Sequence, residues 1–376
     1  MKSHEVICSE LASQSAQSSE NQQSSMRFGL MAAGLSLTAA LVIAPTGASE
    51  ATGALGGQDG MMSTQAGSQE ASSIRVLTYN VLGSNFPGTA AMIHGGSVVD
   101  RANRSTDLIK NQIDADVLGV QELQPDQYRM FAARLPGYKR YPTTANYMSD
   151  TTIFWKENRF RLKDTGSVAY PTYEDRGLKS GKHSPWVKLE DKKTGKVFFV
   201  VNNHPVAWNK ASGSDEGGAL KRERAAHIIH GWAVAKFRKS GKAVLAIGDF
   251  NSAFVIRSEN SGKFDVVKDD AYNGNRYRLP YCIITKSVLA NAYDLALPSK
   301  RLPDNGLDNK FHCPSELGKN DGSPTVHPNR KAPLMRIDHI YATPSKVSIL
   351  KFDRNLSEKA AHASDHWPTF VDFAIK

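Results

Sequence analysis

The chain is poor in cysteine, with three in 376 residues. Cys8 lies in the leading segment, so Cys282 and Cys313 remain for the folded part. Two thiols this far apart exclude a structural zinc site, which takes four ligands at close spacing, and a fold built on a disulfide framework. One bridge between Cys282 and Cys313 is the expectation in an oxidising compartment, with two buried thiols as the alternative. Long apolar runs are scarce too. Residues 29–44 form the extended one, following Met26-Arg27 and ending at Pro45. It is short and rich in Ala and Gly for a membrane span, and small residues continue to Ala51. That is the layout of a secretory signal peptide over residues 1–51, with Met26 as a second candidate start. A retained anchor is the alternative. The absence of a cysteine after the run argues against a lipoprotein. The expectation is a secreted protein with no stable membrane anchor.

No internal repeat and no second domain boundary are visible. Residues 52–73 are Gly, Ser, Ala, Gln and Met without periodicity and read as a flexible linker, which leaves one large domain over 74–376. Acidic residues are under-represented. Beyond residue 51 the chain holds 45 basic against 33 acidic residues, a formal +12. A positive field of that size favours polyanionic partners, although solubility accounts for the same charge. Nothing implies an obligate protein partner, and a monomer is expected.

Regular alternation of strand and helix is also missing, which excludes a doubly wound parallel sheet. Short β-branched runs at Ile74 to Val81, Val117 to Gln121, 150–156, 184–191, Phe198 to Asn202, Ala243 to Ile247, 334–342, 346–353 and 368–375 read as strands. Arg101 to Ile113, Pro125 to Leu135 and Ala219 to Phe237 carry helical spacing. Lys192 to Lys196 reads as a hairpin tip, and 83–100, 205–217 and 297–332 as long polar loops. Strands dominate, so an α+β fold is expected: two packed, mostly antiparallel β-sheets flanked by helices.

What is present is a series of apolar runs that each end in a polar motif. In order they are Leu77-Thr78-Tyr79-Asn80, Val120-Gln121-Glu122, Val201-Asn202-Asn203-His204, Gly248-Asp249-Phe250-Asn251, Arg336-Ile337-Asp338-His339 and Ser364-Asp365-His366. Strands that are dry along their length but end in Asn, Glu, Asp or His deliver oxygen ligands and imidazoles to one rim of a sheet. Metal-dependent phosphoryl transfer needs such a collection. Glu122 closes an apolar strand, where an unpaired carboxylate is costly and a bound cation compensates. Asp249 and Asn251 stand two apart and share a face in extended backbone. A carboxylate such as Asp338, bonded to one nitrogen of His366, would fix its tautomer and raise the basicity of the other nitrogen.

The order and wording of these motifs resemble the endonuclease/exonuclease/phosphatase superfamily, whose members include deoxyribonuclease I and neutral sphingomyelinases. The resemblance covers roughly residues 74 to 376. It implies a four-layer α/β/β/α sandwich and hydrolysis of phosphoester bonds. It makes Glu122 the principal Mg²⁺ ligand, with Asp365 and Asn80 beside the metal; Mn²⁺ or Ca²⁺ would suit the same oxygen donors. It gives His204, Asp249, Asn251, Asp338 and His366 the catalytic roles, with either His366 or Asp249 preparing the water.

Substrate must be read from departures within the family. Gly248-Asp249-Phe250-Asn251 continues as Ser252-Ala253, unlike inositol polyphosphate 5-phosphatases, and no exposed apolar hairpin suggests a lipid surface. Arg222 and Arg224, the Lys192–Lys196 tip, and Arg276, Arg278, Arg301 and Arg330 interleaved with Tyr272, Tyr277 and Tyr281 could contact a phosphate backbone. A secreted nuclease acting on nucleic acid is therefore expected. A phosphodiesterase or phosphomonoesterase on small or lipid esters is the alternative, and an inactive binding module a further one.

Overall fold

The computed structural model describes residues 72–145, 150–170, 182–206, 216–252, 255–257, 264–266, 270–272, 275–277, 280–300, 334–335 and 337–376. The leading segment 1–51, most of the 52–73 linker, Arg278, Arg301, Arg330 and Cys313 lie outside them, as do the side chains of Tyr272, Arg276 and Tyr277. Cys282 is buried in the short helix Pro280–Ile284, and its expected partner Cys313 is outside the described residues. Among the described residues no helix is long and apolar enough to cross a membrane.

The strands in chain order are β1 (Ile74–Asn80), β2 (Val117–Gln121), β3 (Tyr138–Tyr141), β4 (Thr152–Lys156), β5 (Phe160–Tyr170), β6 (Lys182–Asp191), β7 (Val197–Asn203) and β8 (Ala243–Asp249). Four short strands follow, β9 (Val255–Arg257), β10 (Phe264–Val266), β11 (Asp270–Tyr272) and β12 (Asn275–Tyr277). The rest are β13 (Ala290–Asn291), β14 (Leu334–Met335), β15 (Asp338–Ala342), β16 (Val347–Arg354) and β17 (Thr369–Ile375). Two six-stranded sheets result, ordered β16-β17-β1-β2-β4-β3 and β13-β15-β8-β7-β6-β5. Each holds one parallel pair, β1 with β2 and β7 with β8, among antiparallel neighbours. A parallel pair needs a crossover. Helix Val98–Asp107 and its continuation Leu108–Ile113 supply the first, and helix Glu216–Ser240 the second.

The two crossovers set the site. They bring the C-terminal ends of four central strands to the same side, with Asn80 paired to Gln121 and Asn203 to Gly248. The antiparallel neighbours then start where those strands end, as Asp338 opposite Asp249 shows. Inner faces rich in Val, Ile, Leu and Phe close over one another, with Val76, Val117, Val187, Val200, Leu245 and Phe373 in one buried cluster. Near the rim this contact turns polar. Gln121 Nε2 donates to Asn202 Oδ1 across the interface at 2.6 Å, and Asn202 Nδ2 donates to the Val120 and Thr152 carbonyls at 2.9 and 3.0 Å. Gly119 makes room for it, since a Cβ there would stand 2.7 Å from the Asn202 amide. These buried amide bonds help fix how the sheets register, because a slip that breaks them strands polar groups at a cost of about 1–3 kcal/mol each.

Several expectations need adjusting. The 83–100 stretch is not all loop: it folds helix Pro87–Met92 and the start of Val98–Asp107, which Ser97 and Asp100 begin with a reciprocal capping box. The helix expected from Arg101 changes to wider π-type turns at Leu108. Strand β5 carries a mixed polar pattern that concealed it in the sequence. The Lys192–Lys196 tip is a hairpin as expected, tied by Asp191 to the Lys193 amide and the Thr194 hydroxyl. It lies at the other end of β7 from His204, seven residues and roughly 23 Å away at about 3.3 Å per residue. Its lysines therefore do not line the rim where the polar motifs meet.

Candidate active site

The polar motif ends converge at the rim shared by both sheets. Asn80 Nδ2 donates to Glu122 Oε1 at 2.9 Å and to Asp249 Oδ2 at 3.2 Å. Its Oδ1 accepts from the Leu82 amide at 3.1 Å, which fixes the orientation of the side-chain amide. Asn80 thus offers nitrogen, not oxygen, toward the carboxylates. In this arrangement it orients Glu122 and Asp249. Glu122 takes the left-handed conformation, φ 59°, so the chain turns sharply off β2 and its carboxylate faces back to the rim. Gly248, at φ 144°, passes so close to β7 that a Cβ would stand 2.0 Å from the Asn203 carbonyl oxygen. Only glycine permits that approach, and it sets the depth of Asp249.

Two carboxylate–imidazole pairs flank Asp249. His366 Nδ1 donates to Asp338 Oδ2 at 2.8 Å, and His204 Nδ1 lies 2.9 Å from Asp150 Oδ2. In each pair the acid and the histidine come from opposite sheets, so the pairs also staple the two rims. With both Nδ1 atoms occupied, the Nε2 atoms of His204 and His366 each stand 3.8 Å from Asp249 Oδ2. His204 Nε2 is also 3.9 Å from Glu122 Oε1. Asn251, at φ 47°, donates its backbone amide to Asp249 Oδ1 at 2.8 Å and its side-chain amide to the Pro205 carbonyl at 3.1 Å, which ties Asp249 to the segment after His204. Asp365 is buried next to Ser364, whose hydroxyl donates to the Asn80 carbonyl at 2.7 Å and accepts from the His366 amide at 3.1 Å.

The electrostatics follow. Burial alone lowers the basicity of His366, but the charge and hydrogen bond of Asp338, helped by Asp249 and Asp365, raise it well above the usual imidazole value. Burial raises Asp338 to about 6, against the pull of His366, and Asp249 adds to the rise. His204 also ends above its usual value: burial and Lys182 lower it, while Asp150 and Asp249 raise it further. Burial pushes Asp150 up, yet His204 and Lys182 hold it well below the usual carboxylate range. Lys182 Nζ stands 3.2 Å from His204 Nδ1 and 3.5 Å from Asp150 Oδ2.

The donor set suits a hard divalent cation. Glu122 Oε1 and Asp249 Oδ2 share one amide nitrogen, and among the described residues the pairing of Glu122 with a charged group is with His204. Two carboxylate oxygens drawn together in this way are stabilised by a cation between them. A second grouping, Asp249, Asp338 and His366, also has its ligand atoms within 4.8 Å of one another. There Asp338 holds His366 Nδ1, which leaves Nε2 as the nitrogen facing Asp249, while the Glu122 side offers carboxylate oxygen to a cation.

A model of the endonuclease/exonuclease/phosphatase family matches residues 77–366. The chain belongs to this family. Its members are hydrolases of phosphoester bonds and are typically dependent on a divalent metal. Similar solved structures include an endonuclease/exonuclease/phosphatase from Bacteroides vulgatus, at 20% identity over 81% of this chain and 99% of that one, TM-score 0.54. The mannosyl-6-phosphatase of Bacteroides thetaiotaomicron follows at 19% identity over 80% and 99%, TM-score 0.53. The catalytic domain of human Nocturnin with bound sulfate is 17% identical over 81% and 95%, TM-score 0.52. At such identities the likeness carries the fold. No curated protein matches the sequence.

Within this family site, two residues named for substrate contact sit differently from expectation. Arg222 is fully buried and its Nη1 lies 3.5 Å from the Val206 carbonyl oxygen, beneath the segment that follows His204. Arg224 is exposed on the far side of the same helix, about 200° round at 3.6 residues per turn. The two cannot act as one phosphate clamp. Sequence reading also passed over Asp150, because it stands alone before β4 with no motif around it. Only the packing of β4 beside β7 supplies its partner. Asp150→Asn should lower kcat by roughly 10–100-fold, the usual cost of losing a carboxylate that orients a working histidine. KM should move little, and steady-state kinetics on any turned-over phosphoester checks it; an unchanged kcat would make the pair purely structural.

Proposed function

We propose that the chain is a secreted, metal-dependent phosphodiesterase acting on nucleic acid, a nuclease of the deoxyribonuclease I type. The observation that carries the chemistry is the pair of imidazole Nε2 atoms, each 3.8 Å from Asp249 Oδ2 and each backed by its own carboxylate. A phosphodiester has two sides to serve in an in-line displacement, the attacking water and the leaving oxygen. One imidazole on each side of the phosphate provides a proton acceptor and a proton or hydrogen-bond donor. Asp249 stands between them, ready to orient the water; Asn251 holds Asp249 by its backbone amide. A divalent cation at Glu122, with Asp365 near it, would neutralise charge on the phosphate oxygens and the leaving oxygen. Asp338 and Asp249 raise the basicity of His366, and Asp150 and Asp249 that of His204, against burial, so both rings favour proton uptake beside an anionic phosphate.

The polymeric substrate is supported by the +12 formal charge beyond residue 51. Against it, the Lys192–Lys196 tip lies at the opposite rim and Arg222 is buried, which favours a compact ester as the second reading. Salt distinguishes them. On duplex DNA the binding constant should fall with salt on a log–log slope of about −0.9 per phosphate contacted, and supercoiled plasmid should be nicked with Mg²⁺ present. The Lys192, Lys193 and Lys196 to Gln variant should leave that slope unchanged. A flat salt response, no nicking and robust turnover of a sugar phosphate would transfer the same site to the second reading.

A further inference from the structure

We infer that Arg101 and Gln127 are positioning residues that hold Glu122 for its cation by locking the Leu82–Gly83 turn. The inference rests on the reading of Glu122 as a metal-facing carboxylate. Glu122 has two oxygens with separate partners. Oε1 accepts from Asn80; Oε2 accepts from the Gly83 backbone amide at 3.0 Å. The direction of that amide depends on Leu82, which sits at φ 55°. A branched side chain in the left-handed region costs about 1–3 kcal/mol and persists where surrounding bonds over-determine it.

Those bonds are present. The Leu82 amide is held by Asn80 Oδ1, and the Leu82 carbonyl accepts from both Arg101 Nη2 at 3.3 Å and Gln127 Nε2 at 3.0 Å. Gln127 Oε1 accepts in turn from the Ser84 amide at 2.9 Å, so one amide side chain grips the turn on both sides of Gly83. The two donors come from different helices, Val98–Asp107 and Pro125–Arg134. Arg101 is 2% exposed, and its Nε is buried without a hydrogen-bond partner among the described residues. Burial costs this guanidinium more than the charges of Asp365 and Asp126 return, and its hydrogen bond goes to a backbone carbonyl, which is poor stabilisation for a fold. Its position explains it: without the bonds to its carbonyl, Leu82 relaxes toward ordinary backbone and the Gly83 amide turns away from Glu122.

The test is Mn²⁺ binding to the full chain, followed by electron paramagnetic resonance, beside kinetics at varied Mg²⁺. Gln127→Glu keeps the acceptor for Ser84 and removes the donor to Leu82. Arg101→Met removes the other donor, and Arg101→Lys restores one. Gln127→Glu and Arg101→Met should each weaken Mn²⁺ binding about tenfold or more and raise the Mg²⁺ needed for half-maximal rate, with KM for substrate little changed at saturating metal. The double variant should lose less than the sum, since both act on one carbonyl, and Arg101→Lys should recover part of the loss. Wild-type Mn²⁺ affinity in both variants, alongside a large loss in Glu122→Gln, would overturn the inference alone. Wild-type affinity in Glu122→Gln would overturn the metal reading beneath it. If the buried variants fail to fold, hydrogen exchange on the metal-stripped wild-type chain decides: a protected Gly83 amide supports a pre-formed turn, and rapid exchange rejects it.

Discussion

Asp338→Asn should leave the fold in place and reduce kcat by roughly 10³–10⁴-fold, the scale on which loss of a tautomer-fixing aspartate acts elsewhere. Asp338 Oδ2 accepts the Nδ1 proton of His366 at 2.8 Å; Oδ1 is buried with no hydrogen-bond partner among the described residues. An amide of the same shape can place its NH₂ toward Nδ1, which forces the imidazole proton onto Nε2 and removes the acceptor that faces Asp249. The loss should appear in kcat and in kcat/KM equally, because the interaction matters once charge moves. The pH profile carries the sign. Asp338 is the leading attractive cause of the high basicity of His366, acting against burial. Without it His366 gives up its proton at lower pH, so the limb of the rate profile set by His366 should move to lower pH. A rate within threefold of wild type, or an unmoved profile, would show that the pair works only as a rim staple.

Metal removal should have the other large effect. Chelation of the chain should abolish turnover, and Mg²⁺ or Mn²⁺ should restore it. Glu122→Gln should cut kcat/KM by about 10²–10³-fold, equivalent to several kcal/mol of lost charge stabilisation. The substitution keeps an oxygen for the Gly83 or Asn80 contact, so circular dichroism should match wild type. The Glu122 side chain is 18% exposed, which leaves it within reach of solvent and a cation. Full activity in excess chelator, or a Glu122→Gln rate equal to wild type, would reject a cation at this carboxylate.

The sequence by itself determined most of the strand set and the list of polar strand ends. Both are local properties. A dry β-branched run that stops at Asn80, at Glu122 or at His204 reveals a rim residue wherever the strand later packs. Most of helix Glu216–Ser240 was legible too, as the stretch from Ala219 to Phe237, because a long run without Pro between turn signals is also a local property. Strand β5 and the short helices Pro87–Met92 and Glu358–Ala361 were not, because mixed polar composition leaves no periodicity to read. What only the tertiary structure decided is everything that depends on two elements meeting. Two parallel pairs, each closed by a crossover, had to align before Asp249 could stand between His204 and His366. Asp150, Gln127 and Arg101 carry no motif; their work comes from atoms supplied by distant segments. The same holds for the corrections. Asn80 faces Glu122 and Asp249 with its nitrogen because the Leu82 amide claims its oxygen, and Lys192–Lys196 lies away from the site because the tip precedes β7 while the polar rim follows it.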